Sequence, residues 1–232
     1  MLTLTAVAPA GTGSLTPRRM LRAYTRGRFP MTLGPDTPGR YSWRCPWARG
    51  ILPLDRFQLQ SKIRKMLRRD RFAITVDTAF RDVVDGCAEV SERHPEAWMS
   101  SDLCRVYGEL HDQGHAHSLE TWRDGALVGG IFGVQIGSVW FGESMFMREA
   151  GASQVAFAHL IARLIQGGFT LFDVQWANAF MRRFGAEEIN HLRYRWRLAF
   201  ATRQNADFHA LPAGQPGSEI LQLIRDNARP AA

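Results

Sequence analysis

Four short segments of this chain bring together acids, amides, histidines or aromatic rings in patterns that suit catalysis or binding. The first is Phe141-Gly142-Glu143-Ser144-Met145-Phe146, where a run that has just presented Trp140 gives way to a glycine, a carboxylate and a hydroxyl. A glycine inside a strand marks a bulge or a close backbone approach. Glu143 beside it could hold an ammonium group, a hydroxyl or a ribose. Taken alone, the segment reads more simply as a solvated glutamate. The second is Asp173-Val174-Gln175. Residues two apart in a strand face the same way. The spacing therefore predicts Asp173 beside Gln175, its carboxylate accepting from the carboxamide nitrogen and turning the carbonyl oxygen outward. A carboxamide does not titrate, so it would orient and polarise an attacking amine. Polar residues capping a strand end are the plainer alternative.

The third segment, Leu110 to Glu120, carries His111, His115 and His117 with two acids. Gly114 should end the preceding helix, so the histidines need not converge, and no spacing matches a zinc site. No metal is expected. The fourth intersperses Tyr41, Trp43 and Trp47 with Arg44 and Arg49, and Trp98 follows later. Rings among guanidinium groups suit stacking on an unpaired base, as at a single-stranded 3′ end. Tryptophan as the core of a small domain is the competing account.

The secondary structure around these segments is legible in outline. A small-residue leader spans residues 1 to about 14. Thr16-Pro17 should open a helix, with Thr16 as its cap and Pro17 at the first helical position. Glycines and prolines punctuate Phe29 to Pro53 and favour short strands and turns. Helices are expected over Ser61–Arg69, Ala79–Val90, Leu103–Gln113, Ala152–Gln166 and Ala177–Phe184, with one more in the polar tail. FAITVD (72–77) and FTLFDVQ (169–175) read as strands. So do the alternating runs 117–122, 126–137 and 139–146, which form an antiparallel meander. Residues 192–200, where large apolar residues alternate with arginine, read as a final strand.

Composition limits the partners. The 232 residues are 45% hydrophobic and 11% aromatic, enough for a core and against disorder. The formal charge is +7, with 29 Lys+Arg against 22 Asp+Glu. Fifteen of those bases but only three of the acids fall within Met1–Arg71, leaving a net-negative remainder. A polyanionic partner bound through this front end is the natural inference. Cys45, Cys87 and Cys104 are spaced as neither a disulfide framework nor a metal site. No stretch reaches the ~18 apolar residues of a membrane span. A cytoplasmic protein is expected.

In order, these segments resemble the leucyl/phenylalanyl-tRNA–protein transferases over nearly the whole chain. The resemblance rests on Ala23-Tyr24, Gly27 and Phe29-Pro30; on Trp43, Pro46 and Arg49; and on Cys87-Ala88, Trp98, Tyr107, Leu110-His111 and Ala116-His117-Ser118. It continues through Leu127-Val128-Gly129-Gly130, Gly142 to Phe146, Ala152-Ser153, Asp173, Gln175, Asn178 and Gly185-Ala186. The pattern differs at Arg44, Trp47, Gln154, Val174, Phe180 and Arg183.

The resemblance implies an α+β protein: a small basic N-terminal domain, residues 1–56, and a GNAT-like acyltransferase domain, residues 57–232. It implies transfer of Leu, Phe or, less well, Met from aminoacyl-tRNA to an N-terminal Arg or Lys, marking proteins for N-end-rule degradation. Asp173 and Gln175 would activate the amine and Glu143 would line the site. Met145 and its neighbours would hold the transferred side chain. Trp43, Arg44, Arg49, Trp98 and Asn178 would meet the tRNA 3′ end. Periodicity allows Ile131, Trp140, Phe157, Leu160 and Leu164 to wall the pocket, or equally to be ordinary core. No cofactor is expected, because the aminoacyl ester is already activated, and the chain is expected to act as a monomer. Two other readings compete. An acyl-CoA N-acyltransferase would need a pyrophosphate loop, for which Arg182 and Gly185 are suitably spaced but Glu187 is not. A non-catalytic tRNA-binding homologue would bind charged and uncharged tRNA alike.

Overall fold

Thr16 Oγ1 accepts from the Arg19 amide and Pro17 begins the first helix, as the sequence predicts. The computed structural model describes residues 5–8, 15–32, 41–89 and 99–228, the first four as backbone alone. The elements before the large meander are β1 (Thr5–Ala8), α1 (Pro17–Tyr24), β2 (Phe29–Thr32), β3 (Tyr41–Pro46), β4 (Ala48–Ile51), α2 (Ser61–Arg68), β5 (Ala73–Val76), α3 (Phe80–Ala88) and α4 (Ser101–Asp112). Then come β6 (Ala116–Arg123), β7 (Ala126–Ile136), β8 (Val139–Met147), α5 (Ala152–Gln166), β9 (Leu171–Gln175), α6 (Ala179–Arg182), β10 (Glu187–Asn190), α7 (His191–Ala201) and α8 (Gly217–Asn227).

Seven strands form one mixed sheet in the order β10-β4-β9-β8-β7-β6-β5. All its pairs are antiparallel except β8 with β9, which α5 joins as a crossover. Each face buries its own core. On one side α2, α5 and α8 cover Leu119, Ile131, Trp140 and Phe172. α5 is buried nearly all round, from Ala152 to Leu164, because it lies between the sheet and α8. On the other side α1, α3, α4 and α7 cover Phe132, Val134, Phe141 and Leu171.

Three readings of the sequence need amendment. Residues 192–200 are helical, within α7. Their alternation of Leu192, Tyr194, Trp196, Leu198 and Phe200 imitates a strand, but Asn190 caps a helix here, its side chain accepting from the Arg193 amide at 2.9 Å. Burial follows the helical spacing: Tyr194, Leu198 and Ala201 face inward while Leu192, Trp196 and Phe200 stand in solvent. The leader contains β1, which pairs with β3 in a small sheet of order β1-β3-β2; the rest of residues 1–14 lies outside the described residues. Finally, β4 falls before residue 56 yet sits between β9 and β10 in the large sheet. Among the described residues before β4, the small sheet and α1 lie outside that sheet's hydrogen-bonded ladder.

The junction of β4 with β9 is tight. A Cβ at Gly50 would lie 2.4 Å from the Ala177 amide nitrogen and 2.5 Å from the Trp176 carbonyl carbon. Those are backbone atoms and cannot rotate away. Gly50→Ala is expected to destabilise the fold by about 1–3 kcal/mol, read as a lower urea midpoint. An unchanged midpoint would mean that β4 can slide away from β9.

Candidate active site

A β-bulge aims the central carboxylate. β7 and β8 pair from Ile136↔Val139 to Gly133↔Gly142 and resume at Phe132↔Ser144. Glu143 is the extra residue between these pairs, with no partner opposite. The insertion resets the alternation, so that Phe141 and Phe146 share the α3–α4 side although five positions separate them. Glu143 turns toward α1 and α4. There Tyr24 Oη donates to its Oε1 at 2.8 Å and Tyr107 Oη donates to its Oε2 at 2.8 Å. Gln175 Nε2 donates to the same Oε2 at 3.2 Å and faces the Gly142 carbonyl at 3.5 Å. Burial pushes the Glu143 carboxyl up to about 7, against the pull of the tyrosine and glutamine hydrogen bonds and with a further push from Asp173. Both tyrosines are held well above their ordinary range by burial and by Glu143, so they remain donors.

The expected side-by-side pairing of Asp173 with the Gln175 carboxamide does not occur. Gln175 has φ +63°, in the left-handed region, where a residue without glycine's freedom is uncommon. That turn takes its side chain out of register with Asp173 and toward Glu143. Asp173 instead accepts from the backbone amide of Gln175, through Oδ1 at 2.8 Å. Its carboxylate, fully buried, is also gripped by Arg49, with Nε 2.8 Å from Oδ1 and Nη2 2.7 Å from Oδ2. Tyr194 Oη adds a third donor at 2.5 Å. Asp173 is thus a strut that fixes the strained backbone presenting Gln175.

The residues expected at a tRNA 3′ end are dispersed. Arg49 is buried, its guanidinium over the rings of Phe29 and Tyr194 and its Nη1 on the Gly27 carbonyl. Burial works against its charge and Asp173 more than offsets that, so it stays protonated and committed to the carboxylate. It is not available to a phosphate. Trp43 is buried, edge-on to Tyr41, and belongs to the core. Arg44 is half-buried on β3 opposite Phe29. Asn178 is exposed and caps α6, its Oδ1 accepting from the Met181 amide at 2.9 Å. Trp98 lies outside the described residues.

The pocket residues divide similarly. Ile131, Trp140, Phe157, Leu160 and Leu164 are buried in the α5-side core, Trp140 stacked on Phe208. α5 and α8 close that face over them. Met145 is half-buried and packs at its margin.

The histidines serve elsewhere. His117 Nδ1 is 2.7 Å from Asp77 Oδ2, and His209 Nε2 approaches the same oxygen at 3.6 Å. These three are the group among the described residues whose donor atoms, all within 4.8 Å of one another, could hold a metal ion. The contact of His117 with Asp77 already forms a hydrogen bond, which satisfies both without one. His111 approaches the same aspartate, its Nδ1 3.9 Å from Asp77 Oδ1 and 2.9 Å from the Ala116 carbonyl oxygen.

Residues 51–199, carrying Glu143, Asp173 and Gln175, match the family described as leucyl/phenylalanyl-tRNA protein transferase. A protein so named from Nitrobacter winogradskyi is 44% identical over 216 residues, which are 92% of this chain and 96% of that one. One from Rhodopseudomonas palustris is 43% identical over 217 residues, covering 93% and 94%. This chain belongs to the leucyl/phenylalanyl-tRNA–protein transferase family. It is therefore an aminoacyltransferase. Among solved structures, that of L-PGS from Bacillus licheniformis aligns with 92% of this chain and 71% of its own at 12% identity and a TM-score of 0.35.

Three residues of this candidate site carry no local signal in the sequence: Tyr24, Tyr107 and Tyr194. Each is buried to 1% exposure or less, and a buried tyrosine hydroxyl requires a polar partner. All three find it on the two carboxylates, Glu143 and Asp173. Among the described residues, no helix is long and apolar enough to cross a membrane.

Proposed function

We propose that this transferase moves leucine, phenylalanine or methionine from aminoacyl-tRNA to an N-terminal Arg or Lys of an acceptor protein in the cytoplasm, and so marks it for N-end-rule degradation. The observation that carries the chemistry is the Gln175–Glu143 hydrogen bond beyond the last β8–β9 pair. β8 and β9 are paired only over Val139↔Leu171, Trp140↔Phe172 and Phe141↔Asp173. Past that point the ladder ends, and the carboxamide and carboxylate meet beyond it. An antiparallel meander, a crossover helix and a parallel strand that then diverges also support the GNAT-like reading of the body. The small β1-β3-β2 sheet supports a small N-terminal unit, which Tyr24, Phe29, Tyr41 and Trp43 dock onto the α3–α4 side of the body's core.

The residues have distinct roles in this reading. The Gln175 amide nitrogen is engaged by Glu143, so its carbonyl oxygen is the free acceptor for one hydrogen of the incoming α-amine. That amine titrates near ~7.7–8.0 and has a usable neutral fraction at pH 7. Its nitrogen attacks the ester carbonyl, the C–N bond forms, and the bond to the ribose oxygen breaks. Glu143, titrating near 7, takes the proton released by the amine and returns it to the leaving hydroxyl. Asp173 does not meet substrate and acts by holding the Gln175 backbone. Met145, half-buried beside the divergence, fits the mouth of the side-chain pocket. No metal or cofactor is required by this sequence of steps, because the ester is already activated.

The test is direct. Incubating the protein with charged tRNA(Leu) or tRNA(Phe) and a peptide beginning with Arg should lengthen the peptide by one residue. No extension with any charged tRNA, under conditions where the protein is folded, would sink this reading.

A further inference from the structure

Among the described residues, the large hydrophobic side chains left exposed are Trp47, Leu192, Trp196 and Phe200. Three of them share one face of α7, and Trp47 lies at its first turn. Leu192, Trp196 and Phe200 recur every four residues along the outer face of α7, at 75%, 71% and 54% exposure. Trp196 and Phe200 stack with their rings 12° from parallel, and Trp47 stacks on His191 at the first turn of the same helix, 14° from parallel. Scattered exposed hydrophobics are ordinary, but a contiguous aromatic stripe marks a contact site.

Charge chooses the occupant. α7 carries Arg193, Arg195 and Arg197 and no acid. On a helical projection, Arg193 and Arg197 flank the stripe on one side and Arg195 on the other. Arg193 and Arg197 also line an open cavity of about 410 Å³ together with Arg56, Asp55 and Glu187. A second copy of this chain would set like charges against one another across such a face. A polyanion with exposed rings fits both the arginines and the aromatics.

Topology gives the direction. Asn190 pairs with Ala48 and Gln175 with Gly50, so α7 begins at the end of the sheet where Gln175 lies. It runs to the opposite end, where the Ala201 carbonyl accepts from the Ser138 amide beside the start of β8. The stripe from Leu192 to Phe200 is about 12 Å long, enough for three or four bases stacked at ~3.4 Å.

We propose that the outer face of α7, with Trp47 at its head, is a track for the unpaired 3′ nucleotides of the tRNA that precede the esterified one. Their bases stack on Trp196, Phe200 and Trp47, and their phosphates meet Arg193 and Arg197. This rests on the function proposed above and assigns residues to it that the Glu143–Gln175 site does not include.

The experiment compares the wild type with Trp196→Ala/Phe200→Ala, using intact tRNA and tRNA trimmed of its unpaired 3′ nucleotides. Both substitutions lie on the surface, so the melting temperature should be unchanged. The double variant should bind intact tRNA about 10–100-fold more weakly, raise KM for charged tRNA similarly and keep kcat, while the two proteins bind trimmed tRNA equally. Trp196→Tyr should restore most of the affinity. The proposal is overturned by unchanged affinity for intact tRNA, by equal weakening toward both tRNAs, or by a rise in KM for the acceptor peptide instead. A wild type that neither binds nor transfers would remove the functional reading and this proposal together. An active wild type matched by its variant would remove this proposal alone.

Discussion

Glu143→Gln should slow aminoacyl transfer by about 10²–10⁴-fold while leaving affinity for charged tRNA within a few-fold. The substitution keeps the size of the side chain and a carbonyl oxygen for one tyrosine, and removes the second acceptor oxygen together with the ability to take a proton. The pH profile gives the sharper reading. With Glu143 titrating near 7, wild-type turnover should climb through pH 7 as the carboxylate forms. The variant should lose that limb and retain only the rise due to the amine near ~7.7–8.0. A variant with normal turnover and an unchanged profile would show that Glu143 takes no proton.

Stability should move the other way. A free glutamate titrates near 4.5 and the folded Glu143 near 7. The unfolded chain therefore ionises first, and the fold carries a penalty that grows from about pH 4.5 and is complete above pH 7. Glutamine cannot ionise and escapes it. Wild type and Glu143→Gln should be equally stable near pH 4, and the variant should be more stable by about 1–3 kcal/mol at pH 8. Urea unfolding at the two pH values measures the difference. A variant that is both slower and more stable is what a site that holds a carboxylate in poor solvation should yield.

How much of this was legible in the sequence depended on whether local pattern or long-range contact decided it. The meander, α5 and the cap at Thr16 follow from periodicity and turn residues, and the structure places them as expected. Glu143, Asp173 and Gln175 could be named because their neighbours are distinctive, but their connections could not. The i, i+2 rule presumes extended backbone, and Gln175 leaves it with φ +63°. The bulge at Glu143 shows only in the pairing with β7. Arg49 lies 124 positions from Asp173 in sequence, so nothing local distinguishes it from arginines that face solvent. α7 imitates a strand because alternation of five large residues satisfies period two, while only the cap at Asn190 and burial at Tyr194, Leu198 and Ala201 disclose the helix. The positive front end says that a polyanion is bound; it does not say that Arg49 is a strut.

Asp173→Ala should destabilise the protein by about 3–5 kcal/mol, because it strands the Arg49 guanidinium in the core. It should also lower kcat by about 10²-fold through misplacement of Gln175. The two losses have different causes and can be separated. Arg49→Met combined with Asp173→Leu removes both charges and fills similar volume, and replacing a buried ion pair by apolar side chains is often neutral or stabilising. The double variant should therefore recover most of the unfolding free energy lost in Asp173→Ala. It should not recover kcat, because no carboxylate remains to accept from the Gln175 amide and hold its left-handed backbone. Asp173→Asn, which keeps one acceptor oxygen, should fall between wild type and alanine in both measurements. If the double variant regained turnover along with stability, the ion pair would be a matter of folding alone, and the backbone of Gln175 would be held by its own turn rather than by Asp173.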